Sequence, residues 1–160
     1  MKRKSFGEMQ CPVARGLERV GEWWSILILR DALNGIKRFD AFQRSLGIAP
    51  NMLARRLNAL VQAGLMKRRR YSERPPRDEY VLTPSGRDFQ PVVIALLAWG
   101  NRHFAPEGRV FTLIDRQTGL EAEPLLIDAV SGRPMSDRVF KLQRKEPPPP
   151  EAREKASNPR

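Results

Sequence analysis

Two adjacent prolines constrain the middle of this chain more than any other feature. In Ser72-Glu73-Arg74-Pro75-Pro76-Arg77 neither Pro75 nor Pro76 can donate to a sheet ladder, so the segment reads as the tip of a hairpin. The runs at 65–71 and 78–82 have strand composition and supply its two arms. The spacing excludes a two-residue turn and calls for a longer loop. A hairpin alone cannot bury enough surface to be stable in water, so the chain before and after it must supply a partner layer.

That layer is helical. Leu17, Val20, Trp24, Leu27 and Ile28 recur at helical spacing and predict one helix over 15–34, stopped by Asn34-Gly35. Phe39, Phe42 and Leu46 predict a short helix over 39–46, followed by a tight connection at Gly47-Ile48. Pro50 suits the first position of a third helix, which runs to about Ala63 and stops at Gly64. After the hairpin, Thr83 is placed to cap a further helix with Pro84 at its first position. Phe89, Val92, Val93, Leu96, Leu97 and Trp99 form the apolar face of that helix, and Pro91 should kink or divide it.

The formal charge of the 160-residue chain is +11, which attracts polyanions, whether nucleic acid or an anionic membrane. Its distribution is uneven. Residues 1–105 hold 19 Lys/Arg against 9 Asp/Glu, residues 106–140 hold 4 against 6, and residues 141–160 hold 6 against 3. No run of 18 apolar residues offers a membrane span, and no apolar core follows Met1-Lys2-Arg3-Lys4 to make a secretion signal. With Cys11 alone, no intrachain disulfide can form, and a reducing cytoplasm is the expected compartment.

The order helix, helix, tight turn, helix, basic hairpin, helix matches a helix-turn-helix, whose later helix enters the DNA major groove. At ~100° per residue, Leu53, Leu57, Leu60 and Val61 share one face of residues 50–63, and Asn51, Arg55, Asn58 and Gln62 share the other. Arginine can bind guanine bidentately, and asparagine or glutamine can bind adenine. Asn51, Met52, Arg55 and Asn58 are therefore the candidate base contacts, with Ala54 and Arg56 flanking them. An ordinary surface helix would also have a polar outer face, so this helix does not decide the matter alone. The run Lys67-Arg68-Arg69-Arg70 does more, because it places cations on both faces of a strand and would be wasteful without an anion nearby. Lys37, Arg38, Arg44 and Arg56 join Lys67, Arg68, Arg69 and Arg70 as candidate phosphate contacts. Arg74 and Arg77 frame the tip, where arginine can enter a narrow minor groove.

These features coincide with a known pattern. Cys11-Pro12-Val13, Gly21-Glu22-Trp23-Trp24-Ser25, Leu27-Ile28-Leu29-Arg30-Asp31, Arg38-Phe39-Asp40, Met52-Leu53-Ala54-Arg55-Arg56-Leu57, the stretch from Tyr71 through Glu73-Arg74-Pro75-Pro76-Arg77 to Thr83, Pro91-Val92-Val93 and Trp99-Gly100 resemble the HxlR-type family of winged helix-turn-helix transcriptional regulators. The resemblance spans residues 11–100. It implies a homodimer that binds double-stranded operator DNA, with terminal helices at the dimer interface. It also aligns Cys11 with a cysteine that several members use to sense oxidants or electrophiles, which makes Cys11 a candidate redox sensor. Packed, inert cysteine is the commoner use of that residue type. Two positions depart from the pattern. Ala49 stands where a capping serine is usual, and Trp23 stands where lysine is usual. The adjacent Trp23 and Trp24 are a candidate effector pocket, weighed against plain packing as the more frequent role of large aromatics.

Residues 109–140 change character. Leu113-Ile114-Asp115-Arg116-Gln117-Thr118-Gly119 repeats as Leu126-Ile127-Asp128-Ala129-Val130-Ser131-Gly132. The units resemble zinc knuckles in which Asp115, Thr118, Asp128 and Ser131 occupy the ligand positions. Serine and threonine are poor zinc ligands, so a ribbon without metal is expected. Its acidic balance favours dimer support or partner binding over DNA contact. His103 is the sole histidine, and no phosphate loop, metal cluster or nucleophile motif accompanies it.

The sequence therefore predicts a mainly α fold with a small β-hairpin wing and a short β-rich C-terminal appendage. Residues 1–11 form a basic arm, 12–105 the winged-helix and dimerisation domain, 106–142 the appendage, and 143–160 a disordered Pro-rich tail. The expected function is a sequence-specific, homodimeric regulator of transcription, more often a repressor, on an inverted-repeat operator. It needs no cofactor or metal, and its partners are DNA, a second copy and a candidate small-molecule or redox effector, with no membrane. A nonspecific nucleic-acid-binding module and a protein-interaction adaptor are the alternatives, and an enzyme is a distant third.

Overall fold

The computed structural model describes residues 12–136 and 139–143. In chain order the elements are α1 (Pro12–Val20), α2 (Trp23–Leu33), α3 (Phe39–Leu46), α4 (Pro50–Gln62), β1 (Met66–Glu73), β2 (Pro76–Leu82), α5 (Pro84–Arg87), α6 (Gln90–His103), β3 (Leu113–Ile114) and β4 (Glu121–Ala122). Among the described residues, no helix is long and apolar enough to cross a membrane. The chain has two compact units, one ending at Pro124 and one beginning at Leu125.

The core of the first unit lies where α2, α3, α4 and β1 meet. Ile28 and Leu29 from α2, Phe42 from α3, Leu53, Leu57 and Leu60 from α4, and Met66 from β1 are its fully buried side chains. The apolar spacing read from the sequence is thus the spacing that packs.

The expected helix over 15–34 is two helices. Apolar periodicity continues through the break, which hides it. Gly21 weakens the helix, and Glu22 adopts an extended conformation (φ −143°, ψ 142°) as it opens α2. Of the apolar residues that suggested one helix, Val20 and Ile28 are buried, whereas Leu17 is exposed.

The hairpin also corrects an expectation. β1 and β2 pair antiparallel from Met66↔Leu82 out to Glu73↔Pro76, leaving Arg74 and Pro75 as a two-residue tip. Pro75 lies in the tip, outside the ladder, and the Arg74–Pro75 bond is cis. The register shifts between Arg70 and Ser72, and this bulge lets Pro76 fall at the end of the ladder. Ser72 Oγ donates to Pro75 O at 2.9 Å across the tip.

Thr83 joins hairpin to helix. Its Oγ1 accepts from Gly86 N at 3.1 Å and donates to Gly64 O at 2.6 Å. Pro84 takes the first position of α5, and the expected division appears before Pro91, at Asp88-Phe89. Gly86 is buried so tightly that an added Cβ would lie 2.0 Å from Leu65 O.

Asn101 Nδ2 at the end of α6 donates to Phe111 O at 2.8 Å, just before the β3–β4 hairpin. The two repeat units adopt the same turn, one in each compact unit. Asp115 N donates to Leu120 O and Gly119 N to Asp115 O; thirteen residues on, Asp128 N donates to Arg133 O and Gly132 N to Asp128 O, all at 2.8–2.9 Å. Each aspartate side chain caps its own turn. Asp115 accepts from Gln117 N at 2.8 Å, and Asp128 accepts from Ser131 N at 2.9 Å and Ser131 Oγ at 2.5 Å. The carboxylates thus take over the backbone bonding that thiolates perform in a metal knuckle.

Two predictions follow from these joints. Gly86→Ala must displace the Leu65 backbone and should cost ~1–3 kcal/mol, as overpacking does, read by urea denaturation. The second concerns acid. The backbone amide of Gln117 and then the Thr118 hydroxyl hold the Asp115 carboxyl below its usual 3.8, and the Ser131 hydroxyl and amide do the same for Asp128. A depressed folded value stabilises each turn above the unfolded pKa, and that contribution is lost as pH falls through the folded pKa. Gln117 and Ser131 amide resonances should therefore hold steady down to the ordinary aspartate range and move stepwise below it.

Candidate nucleic-acid interface

The proposed reading element is α4. Ala49 precedes it in an extended conformation without a side-chain cap, and Pro50 fills the first turn. Leu53, Leu57 and Leu60 are each 0% exposed, which fixes the rotation of the helix. Asn51, Arg55, Asn58 and Gln62 are consequently on the exposed side, with Met52 half-buried at its margin. Arg55 Nη2 donates to Met52 Sδ at 3.3 Å, lying along the helix surface.

Arg56 behaves differently from the expectation of a phosphate contact. It turns inward, its side chain is 12% exposed, and its Nη2 lies 2.6 Å from Glu22 Oε2. Its Nε is buried with no hydrogen-bond partner among the described residues. One residue past Arg55 is one hundred degrees around the helix, enough to face α1–α2 rather than solvent. Arg56 therefore clamps α4 to the α1–α2 junction and leaves the phosphate set.

The hairpin lies against α4. Arg68 donates to Asn58 Oδ1 on α4, and its guanidinium sits 5.7 Å from the Tyr80 ring. The loop between α2 and α3 is tied to the same hairpin, since Tyr80 N donates to Lys37 O at 2.8 Å and Arg38 lies over the Tyr71 ring at 4.7 Å. Arg38 and Arg68 thus each lie against a tyrosine of the hairpin, and Arg68 also reaches α4.

The run Lys67-Arg68-Arg69-Arg70 is less free than its sequence implies. Arg69 Nε donates to Glu79 at 2.7 Å and Arg70 Nε to Asp78 at 2.6 Å. The anions that the cations need come from the opposite strand, because Arg69↔Glu79 and Arg70↔Asp78 are register partners. Asp78 and Glu79 therefore pair with Arg70 and Arg69. Lys67, Arg74 and Arg77 are exposed without an ion-pair partner among the described residues. Arg44, on α3, pairs with Asp40 at 3.0 Å, and both side chains stay exposed. Exposed pairs of this kind are worth ~0–1 kcal/mol and open readily to a phosphate.

The two tryptophans part company. Trp23 is 76% exposed at the start of α2, whereas Trp24 packs against the core. The pair does not enclose a shared effector pocket, because consecutive helical residues point in different directions. Cys11 lies outside the described residues. His103 stacks near Trp99 and Phe104, with ring centroids 6.3 and 6.2 Å away. Among the described residues, no three His, Cys, Asp or Glu side chains gather as a metal site.

A three-helix core that presents an exposed polar helix beside a basic hairpin defines a winged helix-turn-helix protein. Residues 19–108 match the model of the HxlR-like helix-turn-helix family, and this chain belongs to that family. It is 42% identical over 127 residues to uncharacterised helix-turn-helix-type transcriptional regulators of Mycobacterium bovis and Mycobacterium tuberculosis, covering 79% of this chain and 80% of each relative. Among solved structures, PA1607, a proposed transcription factor, aligns with TM-score 0.80 and 38% identity over 89% of this chain and all of that one. PA1374 of Pseudomonas aeruginosa, also a proposed transcription factor, aligns with TM-score 0.62 and 51% identity over 91% of this chain and 99% of that one. The protein is a DNA-binding regulator of transcription of the winged helix-turn-helix type.

The Arg56–Glu22 clamp carries its own prediction. Arg56→Ala should destabilise the fold by ~1–3 kcal/mol, because a charge-assisted bond at a nearly buried site is lost. Urea denaturation should show this, while DNA affinity at low denaturant stays near the wild-type value.

Proposed function

We propose that this regulator binds double-stranded DNA sequence-specifically as a homodimer, on an operator with inverted symmetry, and represses the genes behind it. The observation that carries this reading is the division of α4, where three fully buried leucines hold Asn51, Arg55 and Asn58 on the outside beside Arg68 of the hairpin. Asn51, Met52, Arg55 and Asn58 meet base edges. Lys37, Arg38, Arg44, Lys67, Arg68, Arg69 and Arg70 meet phosphates, with Arg74 and Arg77 at the wing tip in or beside the minor groove. Residues 12–105 carry DNA binding and dimerisation, and 106–142 serve as an appendage. Such a protein works in the cytoplasm, where bacterial DNA lies.

Dimerisation is supported by an apolar surface that one copy leaves open. On α6, Trp99 is 54% and Leu96 42% exposed, with Val92 beside them, and Val13 and Leu17 of α1 are also exposed. A dimer sets two α4 helices one or more DNA turns apart, ~34–36 Å per turn. Repression needs no further surface, because a dimer seated on promoter DNA excludes the polymerase.

Selection of genomic fragments followed by sequencing should return an inverted repeat. On that site Arg55→Ala should lose ~1–3 kcal/mol and relax one base position, whereas Arg74→Ala should weaken all sequences about equally. Retention of full base preference by Arg55→Ala would overturn the assignment. Sedimentation should give the mass of two chains at micromolar concentration and of one chain for Leu96→Glu.

A further inference from the structure

A cleft of about 500 Å³ opens on the hairpin between the end of α2, the strands and α5. Its volume falls within the range of small-molecule sites. Its lining is divided by chemistry. It is lined by aliphatic side chains, Leu33, Ile36 and Leu82 among them, and by four cationic residues: Lys37 from the α2–α3 loop, Lys67 and Arg69 from β1, and Arg87 from α5. No carboxylate lines it.

The cations differ in their commitments. Arg69 is held by Glu79, and Arg87 Nη1 donates to Leu82 O at 2.9 Å. Lys37 and Lys67 are exposed and have no ion-pair partner among the described residues. A lining that combines cations with hydrocarbon and includes no carboxylate is complementary to a ligand with a negative head and an apolar body. A bare phosphate, free or from a nucleic-acid backbone, would use the cations and leave the hydrocarbon wet.

We propose that this cleft binds a small organic carboxylate with a compact apolar body, and that its occupation weakens the grip of the hairpin on DNA. The second half rests on the DNA-binding role given to the hairpin above. Lys67 and Lys37 serve both sites, so a carboxylate that neutralises them removes cations from the phosphate-binding surface. The cleft also flanks the Tyr80 N–Lys37 O bond that ties the hairpin to the α2–α3 loop. A ligand there bears on the seam that sets the position of the wing.

The test uses the full chain, ¹⁵N-labelled, titrated in parallel with benzoate, benzyl alcohol and inorganic phosphate. Benzoate should shift the amides of Lys37, Tyr80, Val81 and Leu82 saturably at millimolar concentration. Benzyl alcohol and phosphate should bind at least about tenfold more weakly, since each lacks one half of the recognition. Lys37→Gln with Lys67→Gln should weaken benzoate by a similar factor while the unliganded amide spectrum stays native. Phosphate binding as well as benzoate would make this a plain anion surface and overturn the proposal, as would shifts scattered elsewhere. In a second arm, the affinity for the selected operator, measured by anisotropy at constant ionic strength, should fall with benzoate and not with benzyl alcohol. Arg87→Gln should keep operator affinity without benzoate and lose its sensitivity to it. Saturable binding with unchanged operator affinity would overturn the effector role. A chain that failed to bind DNA at all would still report on the cleft in the first arm, so the two readings fail separately.

Discussion

Burial of one leucine stripe sets up everything this protein does. Leu53, Leu57 and Leu60 join Ile28, Leu29 and Phe42 in a core from which water is excluded. Fully burying one such side chain is worth ~1.5–3 kcal/mol. Rotating α4 by a single residue would forfeit several of these burials together. That energetic penalty, rather than any polar contact, keeps Asn51 and Arg55 on the outer face. The Arg56–Glu22 pair adds direction to this packing by fastening α4 to the α1–α2 junction.

The hairpin is fixed to the same scaffold by polar bonds. Thr83 bridges the end of α4 to α5, the Tyr80 amide bonds the α2–α3 loop, and Arg68 reaches the reading helix through Asn58. A wing held at these points is positioned relative to α4, as the proposed joint contact with base edges and phosphates requires. Partial neutralisation by Asp78 and Glu79 has a second consequence. It relieves repulsion among four consecutive cations in the free protein.

Much of this was legible in the sequence. The bounds of α3 were readable from Phe39, Phe42 and Leu46, and those of α4 from Pro50, the leucine period and Gly64, because apolar spacing and end signals agree there. The division of polar from apolar residues on α4 was legible for the same reason. Three features were not. The break at Gly21-Glu22 hides inside a continuous apolar period and is fixed by a contact with Arg56, thirty-four positions away. The two-residue tip comes with a register shift between Arg70 and Ser72 that no spacing rule exposes. The pairing of Arg69 and Arg70 depends on the hairpin register, which follows only once the tip is known. The cleft assembles from five elements and the α2–α3 loop, so no local pattern announces it.

The account stands on the outward orientation of Asn51 and Arg55 toward bases. The most direct check is the side-chain NMR spectrum of the labelled protein bound to its selected operator duplex. The Asn51 Nδ2 and Arg55 Nε protons should shift strongly and become protected from exchange with water, and they should do so less on a duplex of scrambled sequence. Side chains of α4 that are indifferent to both duplexes, with the strong shifts falling on α1 or α6 instead, would contradict it.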